Sequence, residues 1–426
     1  MTTILLTETI GRAKINMSEI YPRWQQQSIE FGLAERRVLM LAGPRQCGKT
    51  TLARALTSEE TEYRTLDDLT LKQAAENDPH GFVKRHSKTL IIDEVQRVPE
   101  LLPAIKKAVD EDTSPGQYLL TGSVNIQSLP SVQESLAGRV AKIRLRPFCQ
   151  GELAKKPPRF LDLAFHQSFD HGWVSHDRDD LVEIAFRGGF PEAVKLGKDA
   201  RRRWHRDYVS ALLERDLIDI ARIQRLDAMR ELIRILAAWS SKLMDISSIG
   251  AGLSIKRPTL ESYINALETL YLVERVNPWT RTDYERVGKQ SKLFMSDCGL
   301  MASILGWRFD QVRLDSDRSG KVLETLAFNE ILAQIEASDS VYELFHYRDR
   351  EKREIDFIVE REDGSILGIE IKAASTVNKR DFRHLEWFRD NLSKDRTFVG
   401  IILYSGVSLG SFGNGLWSVP FSVLWS

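Results

Sequence analysis

The chain alternates between short apolar runs and longer segments of helical period. Residues 37–42, Arg-Val-Leu-Met-Leu-Ala, are a nearly continuous apolar run, the pattern of a strand buried on both faces. Residues 51–56, Thr-Leu-Ala-Arg-Ala-Leu, follow with helical spacing. Two more runs of the first kind occur at 89–93 (Thr-Leu-Ile-Ile-Asp) and 117–123 (Gln-Tyr-Leu-Leu-Thr-Gly-Ser), with an amphipathic helix at 99–110 between them. Buried strands alternating with helices predict a parallel sheet covered on its faces.

Further along, residues 181–243 are mostly helical by pattern. Residues 246–277 read as helix, turn, helix, strand. A glycine-containing turn lies at 247–254, and Pro258 opens the second helix, where its missing N–H costs nothing. Leu260, Tyr263, Ile264, Leu267 and Leu270 recur there at helical spacing, and 271–276 continue as a strand. A loop carrying Arg281, Arg286, Lys289 and Lys292 leads into another strand at 292–297. Residues 320–332 predict a helix. Residues 353–360 alternate as a strand, Asp363-Gly364 makes a tight turn, and 366–372 return. The least hydrophobic stretch, 154–180, contains KKPPR and SHDRDD and reads as a linker or surface insertion. The expected divisions are 1–150, 151–227, 228–300 and 301–426.

At 426 residues the chain has room for roughly two to four domains. A hydrophobic fraction of 42% and a charged fraction of 28% suit a soluble globular protein. Lys+Arg and Asp+Glu are both 60, so no global basic field exists and any nucleic-acid contact must be local. The three cysteines, Cys47, Cys149 and Cys298, form no CxxC pair, which argues against a disulfide framework and a zinc site. The first residues lack the apolar core of a signal peptide, and no apolar run approaches the ~18 residues of a membrane span. The expectation is a cytoplasmic protein without a membrane partner.

Gly43-Pro44-Arg45-Gln46-Cys47-Gly48-Lys49-Thr50 matches GxxxxGK[ST] in full, with a strand before it and a helix opening at Thr51 after it. That context lets backbone N–H groups and a helix N-terminus cradle phosphate. Gly43 and Gly48 permit the tight loop, Lys49 reaches the β- and γ-phosphates, and Thr50 ligates Mg²⁺. Cys47 reads as a tolerated loop residue. At the end of the 89–93 run, Asp93 is the expected Mg²⁺ partner and Glu94 the residue that polarises the attacking water. A polar residue at the end of the third run would sense the γ-phosphate, with Ser123 the first choice and Thr121 the second.

The segments GPRQCGKTT, LIIDEVQRVPELLPAIKKAVD, YLLTGSVN and SLAGRVAKIRLRPF together closely resemble the prokaryotic AAA-type ATPases that carry a DUF4143 C-terminal region. The resemblance covers nearly the whole chain, and SLAGR and RPF are its distinctive parts. It implies a three-layer α/β P-loop core with an AAA-like parallel sheet, followed by a helical and winged-helix segment and a PD-(D/E)xK-like α/β domain. It implies ATP as the nucleotide. The sequence agrees, since it has no NKxD-like guanine-reading motif. Arg139 is a candidate arginine finger or phosphate sensor, and Arg215 is its rival. Arg187-Gly-Gly-Phe-Pro-Glu192 matches a family motif without a known mechanism.

Two further readings bear on partners. The 246–297 segment resembles a winged helix-turn-helix. In a DNA-binding version Lys256, Arg257, Thr259 and Ser262 would face the groove and the wing arginines would meet phosphates; otherwise the module packs within the protein or mediates assembly, including homo-oligomers. The basic cluster 201–206 reads as a solvated helix face. In the last third, Asp356, Glu370 and Lys372 fit the PD-(D/E)xK arrangement without its proline. Period two puts Glu370 and Lys372 on one strand face. Asp356 and Glu370, with Glu324 from the 320–332 helix, would bind Mg²⁺, and Lys372 would orient or deprotonate water. The functional expectation is an ATPase whose nucleotide state controls a nucleic-acid-processing or nucleic-acid-binding C-terminal domain. The alternative is an ATP-switched DNA- or protein-binding module that cuts nothing.

Overall fold

A computed structural model describes residues 21–123, 138–169, 172–216, 225–282 and 289–426; at 215–216 only the backbone is described. The expectations for Arg215, Arg286 and residues 135–137 of SLAGR therefore lie outside what is described.

The N-terminal part is a five-stranded sheet of β1 (Val38–Ala42), β2 (Thr61–Thr65), β3 (Thr89–Asp93), β4 (Tyr118–Gly122) and β5 (Val140–Arg144), in the order β2-β3-β4-β1-β5. Every pairing in it is parallel. The three apolar runs are the three central strands. Each of their residues is buried, because helices cover both faces and the pattern has no reason to alternate. The amphipathic helix Leu101–Glu111 lays Leu101, Leu102, Ile105 and Val109 on one face of the sheet. The helix Lys49–Ala55 packs Leu52 and Ala53 on the other. All five strands run the same way, so their C-terminal ends form one rim.

The C-terminal part is a nine-stranded mixed sheet. Its strands are β6 (Lys242–Leu243), β7 (Val273–Pro278), β8 (Lys292–Met295), β9 (Tyr342–Arg348), β10 (Glu354–Arg361), β11 (Ile366–Lys372), β12 (Phe398–Tyr404), β13 (Gly410–Gly413) and β14 (Leu416–Pro420), ordered β13-β14-β12-β11-β10-β9-β7-β8-β6. Helices Leu226–Trp239, Ile246–Gly250 and Arg257–Thr269 precede and flank the small ladder β6-β8-β7. The helix Ser316–Ala337 packs against β11, β8 and β9.

Two expectations about organisation change here. The division at 300/301 is not a break: β7 pairs with β9 at Asn277–Phe345 and Pro278–His346, so one sheet runs across it. A single apolar core also joins Phe160 to Trp425. The 154–180 stretch is not merely a linker. It contains the helix Phe160–His166, whose Phe160, Leu161, Ala164 and Phe165 belong to that core. Polar flanks hid a short apolar stripe at helical spacing. The 201–206 cluster is likewise not simply solvated. Arg201 donates to the carbonyls of Ala193 and Leu196, and His205 is buried with Nδ1 2.8 Å from Ser303 Oγ.

Candidate nucleotide site and C-terminal acid cluster

Residues 43–50 form the loop between β1 and the helix that opens at Lys49. Two of its glycines are sterically required. A Cβ on Gly43 would lie 2.1 Å from the Leu145 carbonyl oxygen, and Gly48 sits at φ +105°. Cys47 is buried, with Sγ 3.4 Å from the same Leu145 carbonyl. Lys49 is buried and its ammonium donates to the carbonyls of Gly43 (3.0 Å) and Pro44 (2.8 Å). Arg45 accepts from the Tyr208 hydroxyl through its carbonyl (3.3 Å), and Gln46 and Thr51 are exposed.

Parallel pairing brings the end of β3 beside this loop. Asp93 is fully buried and its carboxylate accepts from Thr50 Oγ1 (3.0 and 3.1 Å), Thr121 Oγ1 (2.6 Å) and the Tyr63 hydroxyl (2.9 Å). Thr65 Oγ1 adds a longer contact at 3.4 Å, and all four donors are neutral hydroxyls. Burial, ahead of the contact with Asp93, pushes the Tyr63 phenol up to about 12, so it stays a donor. Glu94 adopts a left-handed backbone (φ 60°, ψ 44°), uncommon for a side chain of its size. Its N–H donates to Thr121 Oγ1 at 3.0 Å, which fixes the turn. Gln96 donates to the Glu94 carboxylate and to Ser123 Oγ (3.0 Å). Thr121 is therefore committed to Asp93, while Ser123 stands with Gln96 and Glu94.

The pocket on this rim is lined by Gly48, Lys49, Thr50 and Glu94 and also by Pro191 and Glu192. The RGGFPE turn thus reaches the phosphate loop from the C-terminal half. Its own placement is tight: a Cβ on Gly189 would meet the Phe148 carbonyl at 2.1 Å, and Asp297 accepts the Gly189 N–H at 2.7 Å. Arg139 is a correction. It precedes β5, and β5 pairs with β1 from Val38–Val140 onward, so Arg139 lies at the opposite end of the strands from residues 43–50. There it bonds Asp110 on the far end of the helix Leu101–Glu111. A five-residue strand spans ~13 Å or more, which removes Arg139 from its own chain's phosphates.

Sequence reasoning missed Arg23. This buried residue donates to the Cys47 carbonyl (2.8 Å), the Arg146 carbonyl (2.6 Å) and Glu152 Oε1 (2.9 Å). Arg146, the arginine of RPF, is itself buried and clasps two carboxylates of the C-terminal half. It meets Glu274 at 2.7 and 2.8 Å and Glu336 at 2.6 and 3.0 Å, and Arg144 reaches Glu274 at 2.7 Å. Burial would raise the Glu274 carboxyl, but Arg144 and Arg146 outweigh it and hold it down to about 2. No signal in the local sequence announces these pairings.

The C-terminal cluster differs from expectation. Lys292, expected on the wing, is 2% exposed and lies inside the cluster. Its ammonium contacts Glu324, Glu354 Oε1 (3.1 Å) and Asp356 Oδ1 (3.2 Å). Asp356 Oδ2 accepts the Ile371 N–H at 2.9 Å. Glu370 shares a face with Lys372, yet the Lys372 ammonium pairs with Asp381, and Glu370 Oε1 is buried without a hydrogen bond. Burial and the neighbouring Asp356 push the Glu370 carboxyl up to about 8. Among the described residues, no group of three His, Cys, Asp or Glu side chains is disposed to hold a metal ion. The expected Mg²⁺ set of Glu324, Asp356 and Glu370 is thus not assembled. The wing expectation also fails for Arg281, whose guanidinium bonds the Asn391 carbonyl.

Residues 35–154 match the model of an AAA domain, and residues 319–424 match a domain of unknown function, DUF4143. The chain thus joins an AAA ATPase domain to a DUF4143 region. Residues 178–311 of this ATPase match a further domain of unknown function, DUF8612. The uncharacterized protein Rv2008c of Mycobacterium tuberculosis is 27% identical over 365 residues, covering 85% of this chain and 76% of that protein; the uncharacterized protein Mb2031c of Mycobacterium bovis matches to the same extent. Among solved structures, a point variant of RuvB from Thermotoga maritima aligns with 59% of this chain and 88% of its own at 17% identity and a TM-score of 0.27. AMPPCP-bound DnaA from Aquifex aeolicus aligns with 57% and 85% at 15% identity and a TM-score of 0.28. No helix among the described residues is long and apolar enough to cross a membrane.

Proposed function

We propose that this ATPase is a nucleotide-driven switch, in which ATP binding and hydrolysis on the N-terminal sheet control nucleic-acid binding by the C-terminal half. The observation that carries the reading is the arginine relay. Arg23 bonds the phosphate loop at Cys47 and the backbone of Arg146, and Arg146 grips Glu274 on β7 and Glu336 on the helix Ser316–Ala337. A phosphate-driven shift of the loop is thereby coupled to two elements of the second sheet.

In the hydrolysis step Lys49 binds the β- and γ-phosphates, and Gly43, Pro44, Arg45, Gln46, Cys47, Gly48 and Thr51 complete the cradle. Thr50 and Asp93 would hold Mg²⁺, which neutralises phosphate charge when bound; their oxygens are hard ligands already facing one another. Glu94 orients and deprotonates the attacking water, and Ser123 with Gln96 ties that carboxylate to the γ-phosphate position.

The nucleic-acid reading draws support from the flank of the β6-β8-β7 ladder, which has the element order of a winged helix. On the helix Arg257–Thr269, Lys256, Arg257 and Ser262 are exposed and Thr259 is half-buried, while Leu260, Ile264 and Leu267 face the core. The helix face is then the DNA contact, with phosphates met by Lys256 and Arg257. Fluorescence anisotropy with duplex DNA tests the proposal. Affinity should differ between a non-hydrolysable ATP analogue and ADP by about 5–150-fold. It should fall steeply with salt, and weaken in Lys256→Ala. Equal affinity with the analogue, with ADP and without nucleotide would refute the switch; no binding at low salt would refute the nucleic-acid partner.

A further inference from the structure

The carboxylates of the C-terminal cluster are gathered around an ammonium. Lys292 projects from the first position of β8, a strand of the small ladder, into the space between β10 and the helix Ser316–Ala337. An ammonium has three N–H donors. Here it meets three carboxylates, Glu324, Glu354 and Asp356. Two of the remaining oxygens are also engaged, those of Asp356 and Glu354. Asp356 Oδ2 takes the Ile371 N–H, and Glu354 Oε2 takes Arg348 at 3.3 Å.

We propose that the Lys292 ammonium is the resident cation of this cluster, so that the site takes no divalent metal and does not cut nucleic acid by metal-assisted hydrolysis. Mg²⁺ demands oxygens at about 2.0–2.1 Å in near-octahedral array. A divalent ion there would sit against a buried unit charge, where repulsion is screened far less than in water. It would also have to strip the carboxylates from their donor. Glu370 Oε1 makes no hydrogen bond and lies 3.9 Å from His384 Nδ1, and its strand neighbour Lys372 is already bound to Asp381. The ion pair does structural work instead: it pins the edge ladder to the helix and the central sheet. This inference concerns the C-terminal cluster alone and stands or falls apart from the ATP switch.

Mn²⁺ binding to the full-length, nucleotide-free protein, followed by electron paramagnetic resonance, tests it. Any Mn²⁺ at Thr50 and Asp93 is common to all variants and cancels. Wild type and Asp356→Asn should give the same binding curve. Lys292→Met should gain a Mn²⁺ site that Lys292→Met/Asp356→Asn lacks. A wild-type site lost in Asp356→Asn overturns the proposal, and so does a folded Lys292→Met that gains none. Should Lys292→Met fail to fold, the wild-type and Asp356→Asn curves still decide. Mg²⁺-dependent DNA cleavage by wild type that disappears in Asp356→Asn or Lys372→Ala would also overturn it, whereas the absence of such cleavage on single-stranded, duplex and branched DNA supports it.

Discussion

Two aspartates lie on strands of the two sheets, Asp93 buried and Asp356 half-buried, and their partners differ in kind. Asp93 is surrounded by four hydroxyls, from Thr50, Thr121, Tyr63 and, at a longer distance, Thr65. Asp356 is held by the ammonium of Lys292 and a backbone N–H. Neutral donors solvate a carboxylate without cancelling its charge, so Asp93 keeps an unbalanced negative charge beside a loop built for phosphate. An ammonium brings an opposite charge as well as satisfying lone pairs, so Asp356 already has a cation beside it. The residue type is alike in the two places, although Asp93 ends its strand and Asp356 lies near the start of its own. The partner decides whether a carboxylate waits for a cation or already has one.

The comparison is most severely tested at the nucleotide site. Lys49→Ala should reduce ATP turnover below detection in a phosphate-release assay. Glu94→Gln should keep nucleotide affinity in equilibrium binding while kcat falls by about 10²–10⁴-fold. Normal turnover by Glu94→Gln would mean that another group activates the water.

Next in size are the ion pairs that join the halves. Arg146→Ala leaves the half-buried Glu274 and Glu336 without their main partner and should cost about 3 kcal/mol in denaturant unfolding. The same clasp predicts an acid limb. Glu274 is held near 2 when folded, against an ordinary value of 4.5. Its contribution is therefore present above about pH 4.5 and is lost as pH falls toward 2, amounting to roughly 3 kcal/mol. In Glu274→Gln that part of the acid limb should vanish; an unchanged pH profile would show that the clasp adds no net stability.

The smallest expected effect is at Arg139. Its partner Asp110 is about two-fifths exposed, and water screens such a pair so that it adds little stability. Arg139→Ala should leave turnover of the dilute protein unchanged. A loss that appears only at high protein concentration would reveal a finger supplied to a neighbouring copy and so a functional homo-oligomer.

Legibility followed sequence distance. The phosphate loop, the Asp93-Glu94 pair and the three apolar strands could be read because each depends on contiguous residues and one local period. The helix Phe160–His166 was obscured by its polar flanks, although its apolar positions carry the signal. Glu354 was passed over because its neighbour Asp356 fitted a familiar pattern.

The sequence by itself determined the nucleotide-binding core. A glycine loop between a buried strand and a helix needs only its own steric and hydrogen-bonding rules, such as the absence of space for a Cβ at Gly43. Tertiary structure alone decided what the charged groups do. Lys292 meets Asp356 across 64 residues, and Arg146 meets Glu336 across 190. A carboxylate's role depends on which donors lie within about 3 Å of it and how much water they exclude, and those neighbours come together only when the sheets are packed.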